Sequence, residues 1–280
     1  MPELRIGTSG WSYTHWRGGV FYPEGMGPKR WLPYYAGHFD TVEVNGTFYK
    51  DPAPESVQNW VRLTPPHFLF AIKVSRYITH VKRLAPNEDS FERFETVARA
   101  FGNRLGPVLI QLPPFFIFDA RRGQAFFERI TALPWRYALE PRHPSWFETE
   151  PRRLLARYDI AWCIADSGRR APRVEHVTAD FVYLRFHGPG AGYGGSYRVS
   201  YLAEVARRVR TWQRKKLGVY AYFNNDAQGF AVSNAERLAL LTGLRKPAIA
   251  KRPRRKPPLA KRPERAQPGL RAIFEGRARG

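Results

Sequence analysis

Eight short runs typical of β-strands alternate along this chain with segments of helical periodicity. The runs are Leu4–Thr8, Thr41–Val44, Leu69–Val74, Val108–Leu112, Tyr137–Glu140, Ile160–Ala165, Phe181–Phe186 and Val219–Phe223. Several are almost entirely apolar, as expected for parallel strands that helices cover on one side and that pack inward on the other. Eight such units favour a closed parallel α/β barrel, because closure leaves no strand edge exposed. An open doubly wound sheet is the alternative.

Amphipathic helices are predicted between the strands. Apolar residues recur at spacings of three and four in two segments, Phe91–Leu105 and Leu202–Trp212. Asp89-Ser90 and Ser200 are the predicted N-caps of these two helices. Further helices are predicted over Lys29–Ala36, Glu55–Leu63, Ala120–Ala132, Trp146–Tyr158 and Asn234–Leu244. The connection from Arg169 to Asp180 shows no helical face.

The chain divides into a predicted barrel, residues 1–244, and a basic tail, residues 245–280. A barrel of this kind takes about 250 residues. The tail contains 13 lysine and arginine residues against two acidic ones and so carries half of the net charge of +22. Residues 245–254 are repeated at 255–264 with seven of ten positions identical. The prolines and like charges of the tail predict a disordered, extended arm. We expect this arm to contact polyanions, and a merely solubilising extension is the alternative.

Composition excludes several classes of protein. A hydrophobic content of 43% excludes global disorder. Cys163 is the single cysteine, which excludes an intrachain disulfide and suits a reducing compartment. The first residues lack the basic start and apolar run of a secretory signal, and no segment approaches 18 uninterrupted apolar residues. We therefore expect no membrane association and a cytoplasmic location.

Polar residues follow the predicted strands at their C-terminal ends, where barrel enzymes have their active sites. Side chains alternate along a strand, so residues two apart point the same way. Four such pairs are Glu43/Asn45, Lys73/Ser75, Glu140/Arg142 and Arg185/His187. Charged residues at the ends of apolar strands lose hydration unless they meet partners or ligands. These pairs are interpreted as a functional site, and a ring of salt bridges that only closes the barrel end is the alternative.

Several motifs in the same order resemble the domain-of-unknown-function 72 family, also called YecE-like. They are Gly7-Thr8-Ser9-Gly10-Trp11-Ser12-Tyr13, Val42-Glu43-Val44-Asn45-Gly46-Thr47-Phe48-Tyr49, Phe70-Ala71-Ile72-Lys73 with Thr79-His80, Gln111-Leu112-Pro113-Pro114, Arg142-His143-Pro144-Ser145-Trp146, His187-Gly188, and Phe223-Asn224-Asn225-Asp226. The resemblance covers about residues 4–244 and implies a TIM-type (β/α)8 barrel. It implies no settled activity.

The charges at the strand ends favour an anion over a metal ion. Glu43, Glu140, Asp166, His187 and Asp226 are similar to the ligand sets of metal-dependent barrel enzymes, by analogy only. Lys73, Arg142 and Arg185 lie among them in the sequence and would repel a cation, so no metal and no other cofactor is predicted. The same three cations, with the Gly188–Gly195 loop, suit a phosphate group.

The first functional hypothesis is an enzyme that acts on an anionic substrate by acid–base chemistry. The substrate is either a phosphorylated sugar-like compound or a nucleotide or nucleic acid, and the reaction is that of a hydrolase, lyase or isomerase. The predicted catalytic residues are Glu43, Glu140 and His187. The predicted substrate-binding residues are Trp11, Asn45, Tyr49, Lys73, Gln111, Arg142, Asp166, Arg185, Tyr193, Tyr197, Asn224, Asn225 and Asp226. A nucleic-acid-binding protein that uses the tail and an aromatic mouth, and a non-catalytic scaffold, are the alternatives.

Aromatic residues are frequent in the same predicted loops. They are Trp11, Tyr13, Trp16, Tyr49, Trp146, Tyr193 and Tyr197. Such rings stack on a sugar or base in some sites and only cover the barrel in others, and both interpretations stay open here.

Overall fold

A computed structural model describes residues 2–166, 174–190 and 194–244, and these form a (β/α)8 barrel of the TIM type. The strands are β1 (Leu4–Thr8), β2 (Thr41–Val44), β3 (Leu69–Lys73), β4 (Leu105–Gln111), β5 (Tyr137–Glu140), β6 (Ile160–Asp166), β7 (Phe181–Phe186) and β8 (Gly218–Phe223). They pair in parallel in the order β1-β8-β7-β6-β5-β4-β3-β2. The barrel is confirmed, and the open sheet is excluded because β1 and β2 also lie side by side.

The seam between β1 and β2 closes the barrel with few backbone hydrogen bonds. One parallel bridge joins Ser9 to Glu43. The Tyr35 hydroxyl accepts from the Thr8 backbone nitrogen at 2.9 Å and donates to the Thr41 carbonyl at 3.1 Å, so it links the two strands. A Cβ atom on Gly7 would lie 2.2 Å from the Thr41 oxygen, so the approach of the strands requires glycine at this position.

Eight α-helices occur in the described ranges. They are α1 (Trp31–Ala36), α2 (Gly46–Tyr49), α3 (Pro54–Arg62), α4 (Glu88–Ala100), α5 (Ala120–Thr131), α6 (Thr149–Arg157), α7 (Val199–Arg214) and α8 (Phe230–Thr242). Short 3-10 helices span Thr14–Trp16, Pro28–Arg30, Gly102–Arg104, Pro144–Phe147 and Ala227–Gly229, and Tyr77–Val81 forms a π-helix. Residues 174–180 contain no helix. The predicted helices are therefore confirmed as elements, with corrected ends.

Local chemistry explains where the predicted helix starts were wrong. Asn87, and not Asp89-Ser90, caps α4, because its side chain accepts from the Ser90 backbone nitrogen. Helix α7 already begins at Val199, so the predicted cap Ser200 lies inside it. The predicted helix from Trp146 is divided, since the Pro144–Phe147 turn is a 3-10 helix and α6 starts at Thr149.

The barrel interior combines large side chains on two strands with small ones on the others. Phe181 and Tyr183 of β7 and Tyr220 and Tyr222 of β8 are buried in a core cluster separate from the one beneath the helices. This inner cluster also contains Ala71, Leu109, Ala138, Ala161 and Cys163. Because the tyrosines are long, their hydroxyls reach other strands, and that of Tyr222 lies 2.8 Å from the Thr41 hydroxyl.

Some sequence predictions concern residues that the structure does not describe. The tail at 245–280, with its repeat, and residue 193 lie outside the described residues. Within the ranges that the structure covers, no helix combines the length and the apolar character needed to cross a bilayer.

Candidate active site

A cavity of about 610 Å³ opens at the C-terminal ends of the strands. Nine of the predicted site residues line it: Asn45, Tyr49, Lys73, Gln111, Arg142, Arg185, His187, Asn224 and Asp226. Each strand-end pair contributes at least one residue to the wall, because β2, β3, β5 and β7 all finish at this face with the same side-chain alternation. Residues predicted from the strand ends thus meet at one cavity, and their functional roles stay predictions.

Arg185 is held on the inner face of β7 by Glu43 of β2. Its Nε donates to Glu43 Oε2 at 3.0 Å and its Nη2 donates to Glu43 Oε1 at 2.7 Å. The hydroxyls of Tyr183 and Ser9 donate to the same carboxylate, each at 2.7 Å. Burial acts to raise the pKa of Glu43, but the arginine and the two hydroxyls outweigh it and lower that pKa. Glu43 is therefore an ionised carboxylate that accepts four hydrogen bonds.

Glu140 of β5 holds the other side of the same guanidinium. Its Oε2 accepts from Arg185 Nη1 at 2.5 Å, and its Oε1 accepts from Arg142 Nη2 at 2.9 Å. Burial opposes ionisation, but Arg185 and Arg142 hold the pKa of Glu140 well below its usual range. Neither Glu43 nor Glu140 is among the described residues that line the cavity. Both carboxylates are thus ion-paired behind the cavity wall, and their predicted catalytic role stays a prediction.

His187, just after β7, is buried with one ring edge against this cluster. The Asn224 amide nitrogen lies 3.1 Å from Nδ1, and with that amide donating, the proton of the neutral ring is on Nε2. Nε2 faces Arg185 Nη1 at 3.4 Å and Glu140 Oε1 at 3.6 Å. Burial and then Arg185 lower the pKa of His187. The imidazole is thus neutral at pH 7, in contact with Glu140 and at the cavity wall.

Lys73, at the end of β3, has no carboxylate partner among the described residues, unlike Arg142 and Arg185. Its Nζ donates to Gln111 Oε1 at 2.8 Å and lies 3.8 Å from the centre of the Phe48 ring. The residue is only 6% exposed. Burial, followed by the nearby Arg185, lowers the pKa of Lys73 to about 7. The predicted salt-bridge ring is therefore incomplete, because Arg185 and Arg142 are ion-paired and Lys73 is not.

Sequence reasoning missed several residues of the cavity wall and floor. Phe48, Arg76 and His80 line the cavity, the last two from the segment after β3. Tyr13 also lines it, and the sequence had placed this residue only among the loop aromatics. Burial and then Lys73 lower the pKa of His80 to about 4. Tyr183, under Glu43, was identifiable because it precedes Arg185 by two residues on the same strand face.

Comparisons with known proteins give the family. The model of the family described as "Protein of unknown function DUF72" matches residues 5–259. This chain belongs to the DUF72 family. It is 26% identical to the UPF0759 protein YunF of Bacillus subtilis over 89% of this chain and 98% of that protein. It is 33% identical to the UPF0759 protein YecE of Escherichia coli over 51% of this chain and 50% of that protein. The resemblance seen in the motifs is confirmed.

Solved structures of DUF72 proteins share the barrel. A DUF72 protein of Thermotoga maritima is 29% identical, with a TM-score of 0.75 over 86% of this chain and 99% of the other. A DUF72 protein of Enterococcus faecalis is 21% identical, with a TM-score of 0.74 over 86% and 96% of the two chains. The second comparison shows the fold alone.

Four predicted binding residues of this DUF72 chain lie away from the cavity wall. Trp11 packs edge-on against Trp60, with ring centres 5.3 Å apart. Asp166 accepts from the Tyr201 hydroxyl. Asn225 is fully buried and donates to the Gly195 carbonyl at 2.9 Å. The Tyr197 hydroxyl, also buried, accepts from the Gly188 backbone nitrogen at 2.9 Å. Their contacts stabilise the loops around the cavity, and Tyr193 lies outside the described residues.

The aromatic residues divide between packing and the cavity. Trp16 and Trp146 are fully buried, and their indole nitrogens donate to Asp226 Oδ1 at 2.6 Å and to the Phe116 carbonyl at 2.9 Å. Tyr13 lines the cavity, and Tyr49 does so with 78% exposure. Of the predicted aromatic residues that the structure describes, Tyr13 and Tyr49 are the ones placed to stack on a ligand.

Asp226, after β8, is a carboxylate of the cavity wall. Burial raises the pKa of Asp226 to about 6, although the nearby His15 imidazole acts to lower it. His15 Nε2 lies 2.8 Å from its Oδ2. In the described part of the chain, no group of three His, Cys, Asp or Glu side chains is placed to hold a metal ion. The predicted absence of a metal stays a prediction.

Proposed function

We propose that this protein is an enzyme that binds a small anionic, hydroxyl-bearing substrate in the cavity at the C-terminal barrel mouth. The observation that carries the proposal is the charge of the cavity wall. Among the described lining residues, Lys73, Arg76, Arg142 and Arg185 are basic and Asp226 is the acidic one. The ionised Glu43 and Glu140 behind the wall balance Arg185 and Arg142, so Arg76 and the protonated fraction of Lys73 are the basic groups of the wall that no carboxylate contacts in the described residues. Basic groups without a carboxylate partner in a concave site attract anions, and guanidinium groups bind phosphate oxygens in two-point contacts.

The substrate class follows from two further features of the wall. Asn45 Oδ1 is buried and has no hydrogen-bond partner in the described residues. A buried acceptor of this kind loses about 1 to 3 kcal/mol unless a donor reaches it, and a sugar hydroxyl is such a donor. Tyr13 and Tyr49 line the same cavity and offer ring faces to a sugar or a base. A phosphorylated sugar or a nucleotide combines these groups.

Proton transfer to or from a bound substrate requires a titratable group at the cavity wall. His187 is a neutral imidazole there, and Glu140 faces its Nε2. An imidazole positioned by a carboxylate exchanges protons near neutral pH. Glu43 and Glu140 fix Arg185 from both sides, so the guanidinium presents a constant charge to a bound group. We propose His187 as the acid–base residue and the two carboxylates as positioning residues.

Calorimetric titration tests the binding step. Ribose 5-phosphate, glucose 6-phosphate and AMP, with glucose as the uncharged control, are titrated into the protein at low ionic strength. We expect saturable binding of at least one anion and none of glucose. Arg76→Gln removes a rim cation that has no hydrogen bond or ion pair in the described residues and should weaken binding about tenfold, the effect of one charge-assisted hydrogen bond of about 1.5 kcal/mol.

The matched control is Arg207→Gln, an exposed arginine of α7 that should leave affinity unchanged. Absence of any anion response in the parent protein would overturn the proposal. An equal loss of affinity in both variants would show that binding follows overall charge and not this cavity.

Nucleic-acid binding is the second candidate function. It is favoured by an exposed aromatic rim, which we define as Tyr49, Tyr77 and Phe115 in the segments that follow β2, β3 and β4. Tyr49, Tyr77 and Phe115 are 78%, 39% and 57% exposed. Lys82 lies 5.4 Å from the Tyr77 ring, and Arg83 lies the same distance from the Phe115 ring. Aromatic rings interleaved with cations bind unstacked bases and phosphates. Deleting residues 245–280 separates tail from rim: retained affinity and salt dependence for single-stranded DNA indicate the rim, and their loss indicates the tail.

A further inference from the structure

The amine of Lys73 combines three features that an ordinary ion-paired lysine lacks. It lines the cavity, it is 6% exposed, and among the described residues it has no carboxylate within ion-pair distance. Its contacts are a neutral amide oxygen, Gln111 Oε1 at 2.8 Å, and the face of Phe48. A lysine that only neutralises a carboxylate or binds phosphate as a point charge does not require this apolar, amide-lined environment.

We propose that Lys73 is a nucleophile that forms an imine with the carbonyl group of an anionic carbonyl compound, such as an open-chain sugar phosphate, bound in the cavity. This proposal rests on the proposed function and specifies its substrate. Arg76 and Arg142 at the rim hold the anionic group, and Lys73 on the inner wall meets the carbonyl carbon. Desolvated lysines next to other cations are the amines that form Schiff bases in proteins.

The electrostatic surroundings support the nucleophilic state. Arg185 and Arg142 disfavour the ammonium form of Lys73, whereas Glu140 and Glu43 favour it. The two carboxylates are ion-paired with those same arginines, so burial and the cations prevail and the pKa is about 7. About half of the amine is then neutral at pH 7, whereas an exposed lysine with a pKa near 10.4 is neutral in roughly one molecule in a few thousand.

The reaction balances with water as its only by-product. The Lys73 nitrogen lone pair attacks the carbonyl carbon, and the carbonyl π electrons move to oxygen. A proton passes from nitrogen to that oxygen and gives a carbinolamine. Protonation of the hydroxyl group and its departure as water, with the nitrogen lone pair forming the C=N bond, give a protonated imine. His187 and His80 line the same cavity, and as neutral imidazoles near pH 7 they can accept the proton from the attacking nitrogen and return it to the oxygen. Solvent supplies the second proton, which leaves with the water molecule.

Reductive trapping tests the proposal. The full chain is incubated at pH 7 with glycolaldehyde phosphate, dihydroxyacetone phosphate or pyruvate and with sodium cyanoborohydride, which reduces an imine to a stable secondary amine. Trypsin does not cleave after an alkylated lysine, so modification of Lys73 leaves residues 63–76 as one peptide. We expect this adduct to form at least tenfold faster than adducts on the exposed Lys215, and inorganic phosphate to slow it.

Variants and competition define the outcomes. Lys73→Met should lose the adduct and Lys215→Met should keep it, while peptide mapping of the parent protein gives the same answer without a variant. Adducts distributed evenly over exposed lysines would overturn the imine proposal. The absence of an adduct at Lys73, while sugar phosphates still bind in calorimetry, would also overturn the imine proposal but would not contradict the anion site. An adduct at Lys73 that phosphate does not slow, with no anion binding in calorimetry, would support the amine and overturn the anion site.

Discussion

The pH dependence of stability gives a direct view of the buried Lys73 amine. Lowering its pKa from an ordinary 10.5 to about 7 corresponds to about 5 kcal/mol of unfavourable free energy for the ammonium form in the folded protein. Below pH 7 the amine is protonated in both states, so the full cost applies. Between pH 7 and 10.5 the unfolded chain binds more protons, so stability rises with pH and the cost disappears.

Lys73→Met removes this cost and also removes the donor to Gln111, which destabilises by about 1 to 3 kcal/mol. The variant should therefore be more stable than the parent protein by about 2 to 4 kcal/mol at pH 6 and less stable by up to about 2 kcal/mol at pH 10, a change of about 4 kcal/mol in the difference between them. Urea unfolding of both proteins at the two pH values measures it, with exposed Lys215→Met as the control. A difference that stays constant with pH would refute the argument that Lys73 is a desolvated, unpaired amine.

Two further substitutions test the barrel seam and the arginine clamp by urea unfolding. Gly7→Ala should cost about 1 to 3 kcal/mol because its Cβ would collide with the β2 backbone, whereas Gly46→Ala, in a helix with nothing within 4 Å, should be neutral or stabilise by about 0.5 kcal/mol. A neutral Gly7→Ala would show that the seam is looser than described. Glu43→Gln leaves Arg185 without its bidentate partner and should cost about 3 to 5 kcal/mol, against less than about 0.5 for the exposed Glu92→Gln. Equal losses of stability in the two glutamate variants would contradict the inference that Glu43 holds Arg185.

Strand positions could be predicted closely because burial on both faces leaves a strong apolar signal. Strands β1, β2, β5 and β7 begin and end as predicted. The start of β4 at Leu105 was missed, since Gly106 and Pro107 are poor strand formers and only the barrel context holds them in the sheet. Helix ends could be predicted less closely, because a single side chain such as that of Asn87 decides where a helix begins.

The candidate site could be predicted in position but not in pairing. Strand alternation is enough to place Glu43, Lys73, Glu140 and Arg185 on one inner face. It does not show that Arg185 takes both carboxylates and leaves Lys73 with an amide, because pairing depends on side-chain reach across the barrel. Arg76 is the N-cap residue of the short π-helix after β3, an element whose direction no periodicity of the sequence fixes.

A crystal structure of the full chain soaked with a sugar phosphate tests the central claim of an anion site in the barrel mouth most directly. The account predicts the phosphate group within hydrogen-bond distance of Arg142 or Arg76, with a substrate hydroxyl donating to Asn45 Oδ1. A cavity that contains only water, or a ligand bound elsewhere on the barrel at the same concentration, would contradict it.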